Sequence, residues 1–486
     1  MDRHFLLFTL IGGLVLIISV FASKATSRFG FPILLLFIGV GMLLGRDGIG
    51  QIAFDNYRLT HLFGTVALIY ILFAGGLSSL PSVMKPVWKE GVTLATAGVF
   101  LTALFMTALI HYTMHWNWPT SALLSAAVSS TDAAAVFGIL RTQKSEVRAR
   151  LRGLVELESG SNDPMSVILL LLLMQFAHSP ETTTFPMIAE KFFIQIALGG
   201  LAGWFLGRAL VRIINWLNLD FEGLYPVLTM ASVFCIYSLS EYCGGNGFLA
   251  VFVAGQAMSG LKFISKKSLL VFHDGLSWLM QVGMFLMLGL LVNPRDLGGV
   301  VLHGSVFALG LIFIVRPIVV SICLVPFGHR NWRDLAFISW AGIKGAVAII
   351  LAAYLLMDNV QHAKVMFNVI FFIVIISMAL QGSTISRVAK LLGVTDEKPR
   401  PLADLWPYSG PRKSNEFIEF EVPADSNLVG KMIFELNLPD EILVVLIHRD
   451  EDDFIPKGST EIRANDRVVC LMNHRFVPDI VHLLTG

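Results

Sequence analysis

Three stretches of the chain place ionisable side chains inside long apolar runs. ELESGSNDPM, residues 157–166, carries Glu158, Ser159, Asn162 and Asp163, with no lysine or arginine between Arg152 and Lys191. SSTDAAAVFG, residues 129–138, carries Thr131 and Asp132, and WAGIKGAVAII, residues 340–350, carries Lys344. Ionisable groups at membrane depth are expensive and by default mark an ion path or proton relay. Residues 158, 159, 162 and 163 stand at i, i+1, i+4 and i+5, so they share one helix face. If Asp132 and Asp163 converge at mid-depth, Thr131, Ser159 and Asn162 add neutral oxygens around them. Such a cage suits a hard cation. Two carboxylates in low dielectric also titrate as a coupled pair, so the site would hold a proton and a cation in turn. Lys344 would offset the surplus acid, most simply by pairing with Glu158.

The elements that must position these groups are membrane helices. The chain has 486 residues, 55% hydrophobic and 15% charged, whereas a soluble domain averages about 25% charged. Thirteen segments are long and apolar enough to span, at about 5–23, 31–45, 61–80, 91–113, 118–140, 154–177, 188–214, 224–243, 246–261, 276–293, 300–325, 333–357 and 363–392. With the N-terminus outside, the loops facing the cytoplasm hold sixteen Lys/Arg and the outer ones six, as the positive-inside rule requires. The fold class read from this pattern is an all-α polytopic membrane protein with a small cytoplasmic α+β domain.

Polar interruptions at Ser129–Asp132 and at Gly342–Gly345 fall in corresponding spans of two six-helix halves, the first to sixth and the eighth to thirteenth. Secondary transporters built from inverted repeats use broken helices in this way. The spans end near residue 395; residues 396–413 are a Pro-rich, charged linker, and residues 414–486 alternate short strand and helix patterns. EFIEFEV, ILVVLIH and DRVVCLM read as strands, RDEDDFIPKGS as a turn, and NLVGKMIFELNLP and FVPDIVHLL as helices. This tail holds 6 Lys/Arg against 14 Asp/Glu, while residues 1–413 hold 30 against 21. Docking of the acidic tail on the basic loops and simple solubility are both consistent with that contrast. Cys235, Cys243, Cys323 and Cys470 show no metal or disulfide spacing. His273, beside Asp274, reads as a loop histidine.

At these residues the chain resembles NhaP-type cation:proton antiporters. The match runs through SSTDAAAVF, ESGSNDP, GLLVNP (289–294) and ISWAGIKGAVAIILA (338–352), and the tail from Leu428 to Leu471 looks like a regulatory TrkA-C domain. The likeness covers nearly the whole chain and is nearest to the potassium/proton branch. It implies a homodimer in the cell inner membrane, a six-helix core moving against a dimerisation domain, and K⁺, Na⁺ and H⁺ as substrates. Asp163 would carry the proton or cation, with Asp132, Thr131 and Ser159 completing the coordination. Asn162, where electrogenic relatives have a second Asp, implies electroneutral exchange. The resemblance implies no cofactor and no resident metal. An unidentified small-molecule ligand of the tail stays open, and nothing points to nucleic acid. Two residues depart from the family pattern: Lys344 replaces an Arg, and Ala74 stands where an acid is common. Lys lacks the planar bidentate contact of Arg, so both departures bear on ion choice and pH response.

Two other readings meet obstacles. An intramembrane aspartyl protease would use two membrane Asp residues, but the chain has no GxGD segment. A channel gated by the tail would need a selectivity filter, and no TVGYG-like segment is present.

Overall fold

In a computed structural model, the chain forms two compact units, residues 1–397 and 398–486. The structure describes residues 10, 12–14, 17, 33–52, 54–79, 81–132, 136, 146–178, 185–219, 221–328 and 331–396, and in the tail 416–423, 426, 428–436, 438, 442–449 and 452–472.

The first unit is helical. Its described helices are α1 (Ile33–Leu44), α2 (Tyr57–Ser78), α3 (Pro81–Met114), α4 (Trp118–Ala127), α5 (Ala149–His178), α6 (Phe185–Leu217), α7 (Leu224–Tyr242), α8 (Gly247–Ser259), α9 (Lys266–Leu291), α10 (Val301–Phe327), α11 (Trp332–Trp340), α12 (Ala346–Met357) and α13 (Ala363–Leu391). They overlap the second to thirteenth expected spans. The first span lies almost entirely outside the described residues, so thirteen remains an expectation. Eight of the described helices are long and apolar enough to cross a membrane. Asparagines start four of the helices: the side chains of Asn56, Asn117, Asn246 and Asn331 accept backbone N–H groups at the first turns of α2, α4, α8 and α11.

The helices pack as two groups. One joins α1, α2, α6, α7, α8 and α9; the other joins α3, α4, α5, α10, α12 and α13. Without a hydrophobic force between helices in lipid, small residues permit the closest approach. Gly203 and Gly207 of α6 accordingly lie on the backbone of α8 at Ala250 and Ala254. Between the groups, α2 meets α12, and the Phe252 ring of α8 lies on Gly160 of α5. Three π turns interrupt the second group, at Leu94–Gly98, Leu311–Val315 and Met378–Gly382. Such turns are often found at functional sites.

The short strands β1 (Glu146–Val147) and β2 (Thr395–Asp396) pair antiparallel in this unit. In the tail, β3 (Glu416–Glu421), β4 (Leu443–Arg449), β5 (Asp452–Phe454) and β6 (Arg467–Met472) form an antiparallel sheet in the order β3-β6-β4-β5. The expected turn at RDEDDFIPKGS therefore contains a strand, because residues 452–454 fold back on Ile447–Arg449. Of the expected NLVGKMIFELNLP helix the structure has the 3₁₀ turn Ile433–Leu436. The expected closing helix FVPDIVHLL lies outside the described residues. The tail core gathers Val422, Leu428, Ile442, Ile447, Ile462, Val468 and Cys470.

Candidate ion-binding site

Two interruptions build the site. α4 ends at Ala127, and residues 130–132 continue without helical structure. Across from it, α11 ends at Trp340 and α12 begins at Ala346, with residues 342–345 unwound between them. The gaps cross and satisfy each other's backbone. Asp132 N–H donates to the Ile343 carbonyl at 2.8 Å. Lys344 Nζ donates to the carbonyls of Ser130 at 2.7 Å and Ser129 at 3.3 Å. A cation thus sits where the C-terminal carbonyls of α4 carry partial negative charge. The Asp132 carboxyl, in turn, touches Gly345 at the N-terminus of α12, the end that favours an anion.

Glycine is required at both edges of the second gap. A Cβ on Gly345 would overlap the Asp132 carboxyl, and one on Gly342 would lie 2.5 Å from Arg316 Nε. The glycines are there for close approach rather than flexibility.

α5 brings the polar face expected from its spacing. Thr131 Oγ1 and Ser159 Oγ are 2.9 Å apart, Asn162 Nδ2 donates to Thr131 Oγ1 at 2.7 Å, and Thr131 N–H donates to Asn162 Oδ1 at 3.2 Å. Ser129 Oγ lies 2.9 Å from Ser166 Oγ, fastening the first gap to α5 one turn further on. Glu158, Ser159, Asn162 and Asp163 are all buried. Asp163 has Asp132 and Lys344 as its charged neighbours and Ser130 as a polar one. Its Oδ1 is buried with no protein donor, which leaves an acceptor for a proton or a cation. Pro164 follows inside the helix. Lacking an N–H, it breaks the backbone bond to the Gly160 carbonyl on the turn that bears these residues.

The expected Glu158–Lys344 pair does not form. Glu158 pairs with Arg316 of α10, both fully buried, while Lys344 is held by backbone carbonyls. A guanidinium matches a carboxylate geometrically, and an ammonium serves equally well as a point charge on carbonyl oxygens. Arg316 went unrecognised in the sequence although it meets the criterion that singled out Lys344, an ionisable residue inside an apolar run. Its position follows the π turn Leu311–Val315, which no sequence pattern announces. His273, expected in a loop, lies buried within α9, with Nε2 2.9 Å from Thr229 Oγ1 of α7 and its ring edge-on to Phe73 of α2. The helix begins at Lys266, ten residues before the expected span, and Leu269 and His273 are the buried residues of its first turns.

The class this architecture defines is a transporter in which two unwound segments meet at a buried carboxylate site. The transmembrane sodium/hydrogen exchanger profile matches residues 14–391, and a TrkA-C domain matches residues 417–475. The chain is 34% identical over 467 residues to the K(+)/H(+) antiporter NhaP2 of Shewanella baltica (strain OS223), covering 96% of this chain and 80% of that one. It is 35% identical over 480 residues to the K(+)/H(+) antiporter NhaP of Alkalimonas amylolytica, covering 98% and 83%. Its fold matches that of the sodium proton antiporter MjNhaP1 of Methanocaldococcus jannaschii with a TM-score of 0.70, at 23% identity over 80% of this chain and 99% of that one. The chain belongs to the sodium/hydrogen exchanger family and carries a C-terminal TrkA-C domain. It is a transporter rather than an enzyme.

Proposed function

We propose that this protein exchanges a monovalent cation, K⁺ or Na⁺, for H⁺ by alternating access, with Asp163 as the group that carries one or the other. The observation that carries the reading is the buried Asp163 oxygen left without a donor, on a carboxyl that has Ser130 and Asp132 as neighbours and shares its helix with Ser159 and Asn162, which bond Thr131. Asp132, Thr131, Ser159 and Asn162 complete the coordination; Glu158, neutralised by Arg316, and Lys344 on its carbonyls hold the frame. As the family resemblance implies for Asn162 beside Asp163, exchange is electroneutral, one cation for one proton. The K(+)/H(+) names of the relatives at 34% and 35% identity favour K⁺.

Residues 1–395 form the exchanger, 396–413 the linker and 414–486 the regulatory domain in this reading. The protein is a homodimer in the cell inner membrane with the N-terminus outside and the tail in the cytoplasm. The test is exchange by the purified full chain in proteoliposomes, with K⁺ or Na⁺ added against a pH gradient. Rates are expected to be unchanged when a lipophilic cation collapses the membrane potential. A rate that follows the potential would contradict electroneutrality, and a preference for Na⁺ would contradict the K⁺ assignment.

A further inference from the structure

The unwound segment between α11 and α12 leaves backbone groups that no helix satisfies, and residues 341–345 are all buried. A buried unpaired amide or carbonyl is costly, so their partners reveal what holds the segment. The Lys344 N–H donates to Ser377 Oγ at 2.9 Å. The Ser377 hydroxyl donates onward to Gln381 Oε1 at 2.6 Å, and Gln381 Nε2 donates to the Trp340 carbonyl at 2.9 Å. Trp340 Nε1 donates to Thr384 Oγ1 at 3.0 Å. One chain of donors and acceptors thus closes both ends of the gap, the last carbonyl of α11 and the amide just before α12.

Its geometry admits one arrangement. The Trp340 carbonyl can only accept, so the Gln381 amide nitrogen must face it and Oε1 must face Ser377. The Ser377 hydroxyl then has its proton committed to Gln381 and its lone pair free for Lys344. Ser377 and Gln381 are 0% and 1% exposed, so water does not compete. They are four residues apart: Ser377 immediately precedes the π turn Met378–Gly382 of α13, and Gln381 lies within it. Within the segment they hold, the Ile343 carbonyl receives Asp132 N–H, Lys344 Nζ caps α4, and Gly345 lies against the Asp132 carboxyl.

We propose that Ser377 and Gln381 are positioning residues of the ion site. They set the place of Asp132 relative to Asp163 through the backbone of residues 340–345, and so tune cation affinity and the pH range of exchange. Neither side chain touches the carboxylates' oxygens. The inference rests on the reading of Asp132 and Asp163 as the exchange site.

The test is cation-driven proton exchange by the full chain in proteoliposomes, at equal amounts of folded protein judged by gel filtration. Wild type, Ser377→Ala, Ser377→Thr, Gln381→Leu, Gln381→Glu and Asp163→Asn are compared. Ser377→Ala and Gln381→Leu are expected to raise the half-saturating cation concentration about tenfold, the factor matching one lost buried hydrogen bond, and to move the pH profile. Ser377→Thr keeps the hydroxyl and is expected to restore both. Gln381→Glu can donate to the Trp340 carbonyl only when protonated, so its exchange is expected to fall further at high pH than that of wild type. Unchanged half-saturation and pH profile in Ser377→Ala and Gln381→Leu would overturn the proposal, even if their yield of folded protein falls. Absence of exchange in wild type, or undiminished exchange in Asp163→Asn, would overturn the antiport site itself and this inference with it.

Discussion

Asp132 and Gly345 leave no room between them for a methyl group. Gly345→Ala is therefore expected to abolish exchange while the protein still inserts, because the added carbon displaces a carboxylate rather than an apolar side chain. Vesicle exchange assays set against immunoblotted membrane content would measure this; wild-type rates in Gly345→Ala would refute the crossing geometry. Glu158 and Arg316 make a different prediction. Removing one partner of a buried ion pair leaves an uncompensated charge and costs about 3–5 kcal/mol. Arg316→Leu should thus lower the melting temperature of the solubilised protein strongly, and Glu158→Gln should recover part of that loss when added to it. Among individual residues, the shared helix and burial of Glu158, Ser159, Asn162 and Asp163 were legible in the sequence from helical spacing. The partner of Glu158 was not. Choosing between Lys344 and Arg316 depends on where the π turn Leu311–Val315 aims α10, and hydrogen-bonding slips of one residue leave no trace in apolar periodicity.

At the scale of elements, the membrane helices could be read because apolar length has a single explanation in lipid. The interruptions could be read as well, since polar and glycine runs inside spans have few uses. The pairing of β1 with β2 could not, because two-residue strands carry no pattern. This pairing fastens the segment after α13 to the segment before α5. Arg148 reinforces it, with N–H to the Val394 carbonyl at 3.1 Å, Nη2 to the Gly393 carbonyl at 2.5 Å and Nη1 3.5 Å from Asp334 Oδ1. Arg148→Ala keeps the backbone bond and loses the other two. Hydrogen–deuterium exchange of the peptide covering residues 393–396 is expected to speed up, with α12 unchanged. Equal protection in both proteins would show that the strand pair holds without the guanidinium.

On the scale of the whole molecule, a proton-coupled membrane unit and a separately packed sheet share one chain. The tail has its own acid sensitivity. Burial alone would push the Asp466 carboxyl up, but hydrogen bonds from Arg449 and from the Arg463 N–H outweigh it and hold it below the usual carboxylate range. A carboxylate depressed in the folded state adds stability that is fully present above its unfolded value, about 3.9, and disappears as pH falls through the folded value. Asp466→Asn should therefore weaken the tail at neutral pH and make little difference in strong acid. Cys470 offers the readout: burial pushes its thiol up to about 12, so it should resist maleimide until the tail unfolds. Labelling of Cys470, located by mass spectrometry in the full chain, is expected to be faster in Asp466→Asn than in wild type at neutral pH. Equal rates would show that the Arg449 contact does not stabilise the sheet.

Exchange turns on one carboxylate in this reading, and the most direct measurement is cation-driven collapse of an acid-inside pH gradient in inverted vesicles, with wild type beside Asp163→Asn. Wild type is expected to dissipate the gradient on addition of K⁺ or Na⁺, and Asp163→Asn to leave it intact at every pH from about 6 to 9, because an amide cannot alternate between proton and cation. Exchange by Asp163→Asn at the wild-type rate would contradict the assignment of that oxygen as the carrier.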